Sequence, residues 1–202
     1  MRRDQGRLNE IASLVADQLV QAPHVPAWQV AQVVIDEGLG RPAEARTRLA
    51  ALAADGIAGL PKDWLWLLTA TLLADVCADL RAVEAAGDLL AALLPFSGRV
   101  AVLGHGIAAS GAVDGPLGRL EGIRREWAAA ERHLTDAMAL NHRIGAAPAL
   151  ARAQLGYAEL LVHRDRQGDR YQAVLLLDEA RATASRLGMA GLNPALERVS
   201  AL

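Results

Sequence analysis

The sequence predicts an all-α chain: an α-solenoid of antiparallel helix pairs, about nine or ten helices, in one domain over residues 1–202. Three observations predict it. The chain is 52% hydrophobic but only 3% aromatic, and its apolar residues are mostly Ala and Leu, the strongest helix formers. The β-branched and aromatic residues that suit strands are thin. The sequence also repeats itself at a period near 43 residues, and the breaks between helical patterns are short and marked by Gly or Pro.

The repeat is clearest between "AERHLTDAMALNHRIGA" from Ala130 and "AVLLLDEARATASRLGM" from Ala173, 43 positions on. Ala130 aligns with Ala173, Leu134 with Leu177, Ala137 with Ala180, Arg143 with Arg186 and Gly145 with Gly188. Weaker copies begin at Arg41 ("RPAEARTRLAAL") and Arg81 ("RAVEAAGDLLAAL"), so that Ala45, Ala85, Ala130 and Ala173 fall at spacings of 40, 45 and 43. Each of these alanines precedes a leucine by four residues, which puts both on one helix face. Ala lets a neighbouring helix approach and Leu fills the space beside it. Paired helices at this period describe a solenoid of the tetratricopeptide type with slightly long units.

Each element follows from local signals. Residues 8–21 carry Leu8, Ile11, Leu14, Val15 and Leu19 at helical spacing, an amphipathic face suited either to capping the array or to a homodimer contact. Helices follow over 26–38, 42–55, 62–80 and 82–95. A helix drawn over 112–125 meets Gly115-Pro116, and Pro in a helix interior costs roughly 3 kcal/mol. We therefore expect that helix to start at Pro116, leaving an irregular connector near 97–115. Helices are expected over 127–144, 147–164 and 169–187; Gly145 and Gly188 stop two of them, with Arg in the last turn. A final short helix starts at Asn193-Pro194, an N-cap followed by Pro.

Three stretches carry a family resemblance: "LPKDWLWLLTATLLADVCADL", "LLPFSGRVAVLGHGIAASGAV" and "WAAAERHLTDAMALNHRIGAAPALARAQLGYAELLV". They resemble the tetratricopeptide-like helical region near the C-terminal end of large bacterial signal-transduction ATPases, including those with a nucleotide-cyclase or LuxR-type domain. The resemblance covers about residues 7 to 190 and rests on helix-packing patterns. It implies a helical-repeat fold and a regulatory setting. The chain departs from that family in three respects. It has no G-x-x-x-x-G-K-[ST] phosphate loop, no recognisable helix-turn-helix after Gly188, and Gly115-Pro116 where an ordinary helix interior is expected.

Several residues invite a chemical reading. "VAVLGHGIAA" places Gly104, Gly106 and Ala109 on the G-x-G-x-x-G/A spacing of a dinucleotide loop. Such a loop needs a parallel sheet, a following helix and an acidic residue about 20 positions on. Glu121 lies at a tolerable distance, but no partner strand is visible, so the stretch is expected to be a groove-lining connector without a cofactor. His105, with Ser110 and Asp114, forms a weak catalytic candidate lacking the G-x-S-x-G elbow. His133 and His142 are nine apart, about 900° of helical rotation, and face opposite ways, so no metal site is expected. Trp64 and Trp66 diverge by about 200°, which sends one inward and leaves the other for a groove or partner. Trp64, Trp66, His105 and Arg119 are the partner- or ligand-binding candidates. Arg119, Arg124 and Arg125 together read as a solvated face.

Composition narrows the function classes. The net charge is −2 with both signs interspersed, so no nucleic-acid partner is expected. One cysteine, Cys77, permits no internal disulfide. The longest apolar run, Trp64–Ala74, is 11 residues and too short for a membrane span of about 20. Arg used almost to the exclusion of Lys, with abundant Ala and Gly, suggests a GC-rich bacterial genome. Met1 to Glu10 is polar and shows no signal-peptide pattern, so a cytoplasmic protein is expected. The expected function is a non-enzymatic, regulatory interaction module that binds a protein or peptide on a concave face. The alternative is a small-molecule-binding array, or a pathway-specific enzyme, with its pocket near the 97–115 connector.

Overall fold

At the C-terminal ends of five helices the same backbone hydrogen bond recurs, from an N–H to the carbonyl five residues back. The donors are Arg41, Ala82, Glu126, Ala146 and Met189, and the acceptors Asp36, Cys77, Glu121, Asn141 and Ala184. The residue before each donor is left-handed: Gly40, Arg81, Arg125, Gly145 and Gly188, with φ between 52° and 75°. This closure satisfies the last carbonyls of one helix and turns the chain at once into the next element.

The computed structural model describes residues 2–54, 62–103 and 108–202. Among them it is all-helical apart from one two-stranded sheet. The helices are α1 (Ala12–Gln21), α2 (Pro26–Gly38), α3 (Pro42–Ala54), α4 (Trp66–Asp79) and α5 (Val83–Leu93). After the strands β1 (Val100–Leu103) and β2 (Ala108–Ala112) come α6 (Asp114–Ile123), α7 (Trp127–Arg143), α8 (Ala147–Arg164), α9 (Asp169–Leu187) and α10 (Asn193–Ser200). Single 3₁₀ turns occupy Leu8–Glu10, Leu94–Phe96 and Ala190–Leu192.

Apart from α3 and α4, consecutive helices pack as neighbours, and the even-numbered ones also touch in succession: α2 on α4, α4 on α6, α6 on α8 and α8 on α10. The repeat seen in the sequence lands on the odd-numbered helices. Ala45, Ala85, Ala130 and Ala173, with Leu49, Leu89, Leu134 and Leu177, are all buried on α3, α5, α7 and α9. Two apolar cores result. One joins α2 through α6 around Leu49, Leu73, Leu89 and Leu117; the other joins α7 through α10 around Leu134, Leu161, Leu177 and Leu196.

Three boundaries differ from the sequence reading. The first helix begins at Ala12 rather than at residue 8, because Leu8–Glu10 is a 3₁₀ turn that brings Leu8 against Gly38. Helix α4 begins at Trp66 rather than at 62; Asp63 accepts the Leu65 N–H ahead of it. Helix α6 begins at Asp114, two residues before Pro116, so the proline sits in the first turn where its missing N–H breaks no hydrogen bond.

The connector is also more regular than expected. β1 and β2 form an antiparallel hairpin pairing Val100 with Ala112 and Leu103 with Ala108, with an irregularity between Ala101 and Val102. The partner strand lies in the same short stretch, in residues too small to advertise it. A hairpin is not the strand–loop–helix of a dinucleotide site, whose strands are parallel. Gly104, His105 and Gly106 lie outside the described residues. Asn141 on α7 accepts the Ala112 N–H at 2.9 Å and docks the hairpin against the second core.

The two cores meet where α6 crosses α7, and the crossing is close. A Cβ on Gly118 would lie 2.6 Å from Leu134 Cγ and 2.9 Å from the Ala130 carbonyl oxygen. Gly118→Ala gains about 1 kcal/mol of helix propensity but incurs about 1–3 kcal/mol of overpacking. The variant is expected to melt a few degrees below the parent, measured by circular dichroism; an unchanged or raised Tm would contradict this packing.

Candidate functional site

Helix α4 is apolar on nearly every side except for Asp75 and Asp79, one turn apart on the same face. Two carboxylates on a buried helix require partners, because an uncompensated charge out of water is costly. The partner is Arg119 on α6. Its Nη1 donates to Asp75 Oδ1 at 3.2 Å, its Nη2 donates to Asp79 Oδ1 at 2.7 Å, and Glu159 Oε2 on α8 lies 3.6 Å away. The stem of Arg119 lies against Gly156 of α8, where a Cβ would sit 3.0 Å from Arg119 Cγ. A single guanidinium thus ties α4, α6 and α8 together.

A second guanidinium reaches the same carboxylates from the N-terminal segment. Arg3 Nη2 donates to Asp79 Oδ2 at 2.9 Å and Nη1 to Asp75 Oδ2 at 3.4 Å, with Glu37 of α2 3.9 Å from Nη2. Arg198 of α10 stands 3.9 Å from Asp79. Arg152 of α8 pairs with Asp4 and donates its other terminal nitrogen to the Ser110 carbonyl of β2 at 2.9 Å. The Gly191 N–H donates to the Asp4 carbonyl at 2.8 Å. Every even-numbered helix therefore sends a charged side chain to one region. Beside it lies a cavity of about 480 Å³, lined by these charged side chains, Glu159 excepted, and by Leu155, Leu192 and Pro194.

The electrostatics follow from burial against neighbours. Burial alone would raise the Asp79 carboxyl; Arg119 and Arg3 outweigh it and hold the group below the usual carboxylate range. Glu37 goes the other way: burial, then repulsion from Asp79, push it up despite Arg3. Burial opposes charge on Arg119 and Arg3 too, but the surrounding carboxylates keep both firmly protonated.

The residues singled out from sequence are distributed as follows. Arg119 is at the centre of this cluster with only 13% of its side chain exposed, which corrects its reading as part of a solvated face. Arg124 does lie at the surface, paired with Glu126. Trp66 is buried in the first core, tilted against Phe96 at 5.2 Å, and so is not a surface anchor. Trp64 is 64% exposed. Asp114 is buried and accepts from Ser97 Oγ at 2.7 Å and the Gly98 N–H at 2.8 Å, which fixes the entry to the hairpin. Its carboxylate is occupied structurally, and Ser110 meets Arg152 through its backbone. His105 lies outside the described residues, so the Ser/His/Asp grouping has no geometry to support it.

Other polar clusters fasten helices to each other. His133 Nδ1 meets Glu121 Oε2 at 2.7 Å across α6 and α7. Arg164 grips Asp169 through two hydrogen bonds and Glu131 through a third, and Tyr157 donates to Glu131 at 2.6 Å. Among the described residues no three His, Cys, Asp or Glu side chains gather as a metal site, and no helix is long and apolar enough to cross a membrane. Sequence reasoning passed over Arg3, Asp4, Asp75, Asp79, Arg152 and Arg198. The signal for two of them was present: a carboxylate pair at i, i+4 inside an otherwise apolar helix. No protein-family model, curated protein or solved structure matches the chain.

Two substitutions test this electrostatic account by thermal melts. Asp79→Asn removes the shortest carboxylate contact of Arg119 and one of Arg3, and is expected to destabilise by about 3 kcal/mol, the scale for breaking a buried pair. Glu37→Gln should do the reverse. A carboxyl whose pKa is higher in the folded state than in the unfolded one costs stability wherever it is ionised. The glutamine variant should melt above the parent at pH 7, and its advantage should vanish as pH falls through about 4. A destabilised Glu37→Gln at neutral pH would refute the assignment.

Proposed function

We propose that this chain is a tetratricopeptide-like helical-repeat interaction module, non-enzymatic and regulatory, that binds a protein or peptide segment on the face formed by its even-numbered helices. The supporting observation is the convergence of Glu37, Asp75, Asp79, Arg119, Arg152, Glu159 and Arg198 from five helices onto that face. Helical arrays of this kind carry their binding surface on one extended face and set its shape by stacking. The lining favours a polypeptide over a small apolar ligand: ligand pockets carry only a few polar groups, whereas charged side chains from all five even-numbered helices reach this one. The resemblance to helical regions of bacterial signal-transduction ATPases supports the regulatory setting.

Selection from a random peptide library displayed on phage tests the reading. The bait is the full chain carrying Arg3→Ala with Asp4→Ala, which removes the side-chain contacts that hold the N-terminal segment on this face without altering the face itself. Selected peptides are expected to lose at least about tenfold in affinity when Glu37→Lys is added, which reverses a charge lining this face, a central charged contact being worth about 1.4 kcal/mol or more. Adding Leu175→Glu, on the exposed face of α9, should leave affinity unchanged. An absence of binders, or binders sensitive only to Leu175→Glu, would overturn it.

A further inference from the structure

The segment from Arg2 to Leu8 belongs to no helix pair, yet it runs across the face just described. Its own backbone bonds are local: Gly6 N–H to Arg3 O at 3.1 Å and Arg7 N–H to Arg2 O at 2.9 Å. It touches the helices as a bound peptide touches a receptor. Arg3 enters between Asp75 and Asp79, Asp4 meets Arg152, the Asp4 carbonyl accepts from Gly191, and Leu8 closes against Gly38 and Ile35. The intervening Gln5, Gly6 and Arg7 are exposed. Gly6 is left-handed, at φ 69°, and packs on Gly191, a position where a Cβ would lie 2.0 Å from the Arg3 carbonyl oxygen.

Charge complementarity explains the choice of guest. Without Arg3 and Asp4, the carboxylates of Glu37, Asp75, Asp79 and Glu159 face the guanidiniums of Arg119, Arg152 and Arg198. Four negative groups against three positive ones leave the site one cation short. A planar guanidinium suits it because its fork can bridge two carboxylates at once. The cavity of about 480 Å³ beside the segment leaves room for a guest longer than the resident one.

We propose that this face is a recognition groove for an arginine-bearing peptide segment of a partner protein, and that the chain's own N-terminal segment is its resident pseudo-ligand. This rests on the interaction-module reading and adds the chemistry of the partner. The segment sets the pattern: Arg, then an acidic residue, a small residue two positions later, and an apolar residue two further on, as in Arg3-Asp4-Gln5-Gly6-Arg7-Leu8. Arg fills the carboxylate clamp, the acid takes Arg152, the small residue passes Gly191 and the apolar residue takes the site of Leu8. Because the resident is tethered, its effective concentration is high, and a partner must compete with it. That competition makes the groove a gated one.

The test uses a fluorescently labelled peptide, RRDQGRLNE, read by anisotropy against full-length proteins whose folding is verified by circular dichroism. Wild type is expected to bind weakly. Arg3→Ala with Asp4→Ala should bind at least about tenfold more tightly, as should a second opener, Arg3→Ala alone, because both remove contacts that seat the resident segment and leave Gly191 and the rest of the groove unchanged. The same peptide carrying Arg3→Gln should lose at least about tenfold on both openers, since it removes the bidentate contact without touching the protein. No binding to either opener, or equal binding of the Arg3→Gln peptide, overturns the proposal. Library peptides that bind this face without a selected arginine would overturn the proposal alone and leave the interaction-module reading standing.

Discussion

Arg119 is the constraint on which the arrangement of the even-numbered helices depends. It sits on α6 and is held by Asp75 and Asp79 from α4 and approached by Glu159 from α8. Apolar burial is non-directional; it sets that helices come together but not at which register. A planar fork between fixed carboxylates is directional, and its desolvation is tolerable only when every partner is in place. The two cores lie on either side of it, one ending on α6 and the other starting on α7. Glycine at 118 and 156 lets the flanking helices close to the distance at which the fork can be satisfied.

Much of the fold was legible because it depends on local periodicity. The Ala-x-x-x-Leu signature of α3, α5, α7 and α9 marks positions that face inward for one packing reason, so it recurs wherever that packing recurs. The left-handed stops at Gly145 and Gly188 were readable because glycine is the ordinary residue for that conformation. The equivalent stops at Arg81 and Arg125 carry no such mark; their turns are imposed by the helices on both sides. The hairpin was illegible for a related reason. Ala108–Ala112 has neither the alternation nor the β-branched residues that announce a strand, and it pairs because β1 is beside it and Asn141 caps its end.

The site was less legible than the fold, since its members are far apart in sequence. Arg119 lies in a short, glycine-rich helix with two more arginines just beyond, a local context that reads as a wetted surface. Only α4 and α8 beside it, with Gly156 making room, turn it inward. Arg3 and Asp4 precede any periodic pattern, and their importance comes from what they lie against. Trp64 and Trp66 show the opposite case. Their spacing forces them apart, and the structure puts Trp66 in the core and Trp64 outside.

Arg152 has a consequence that reaches beyond the groove. One of its terminal nitrogens meets Asp4 and the other holds the Ser110 carbonyl on β2. Whatever stands in the place of Asp4 is therefore mechanically connected to the hairpin, whose far end is fixed by Asp114 to the turn at Ser97 and Gly98. One guanidinium thus couples the position of Asp4 to a hairpin some hundred positions away in the chain. Loss of the acid at position 4 would free one terminal nitrogen of Arg152 and slacken this tie between the N-terminal segment and β2, so the first residues of the chain bear on the order of a strand far along it.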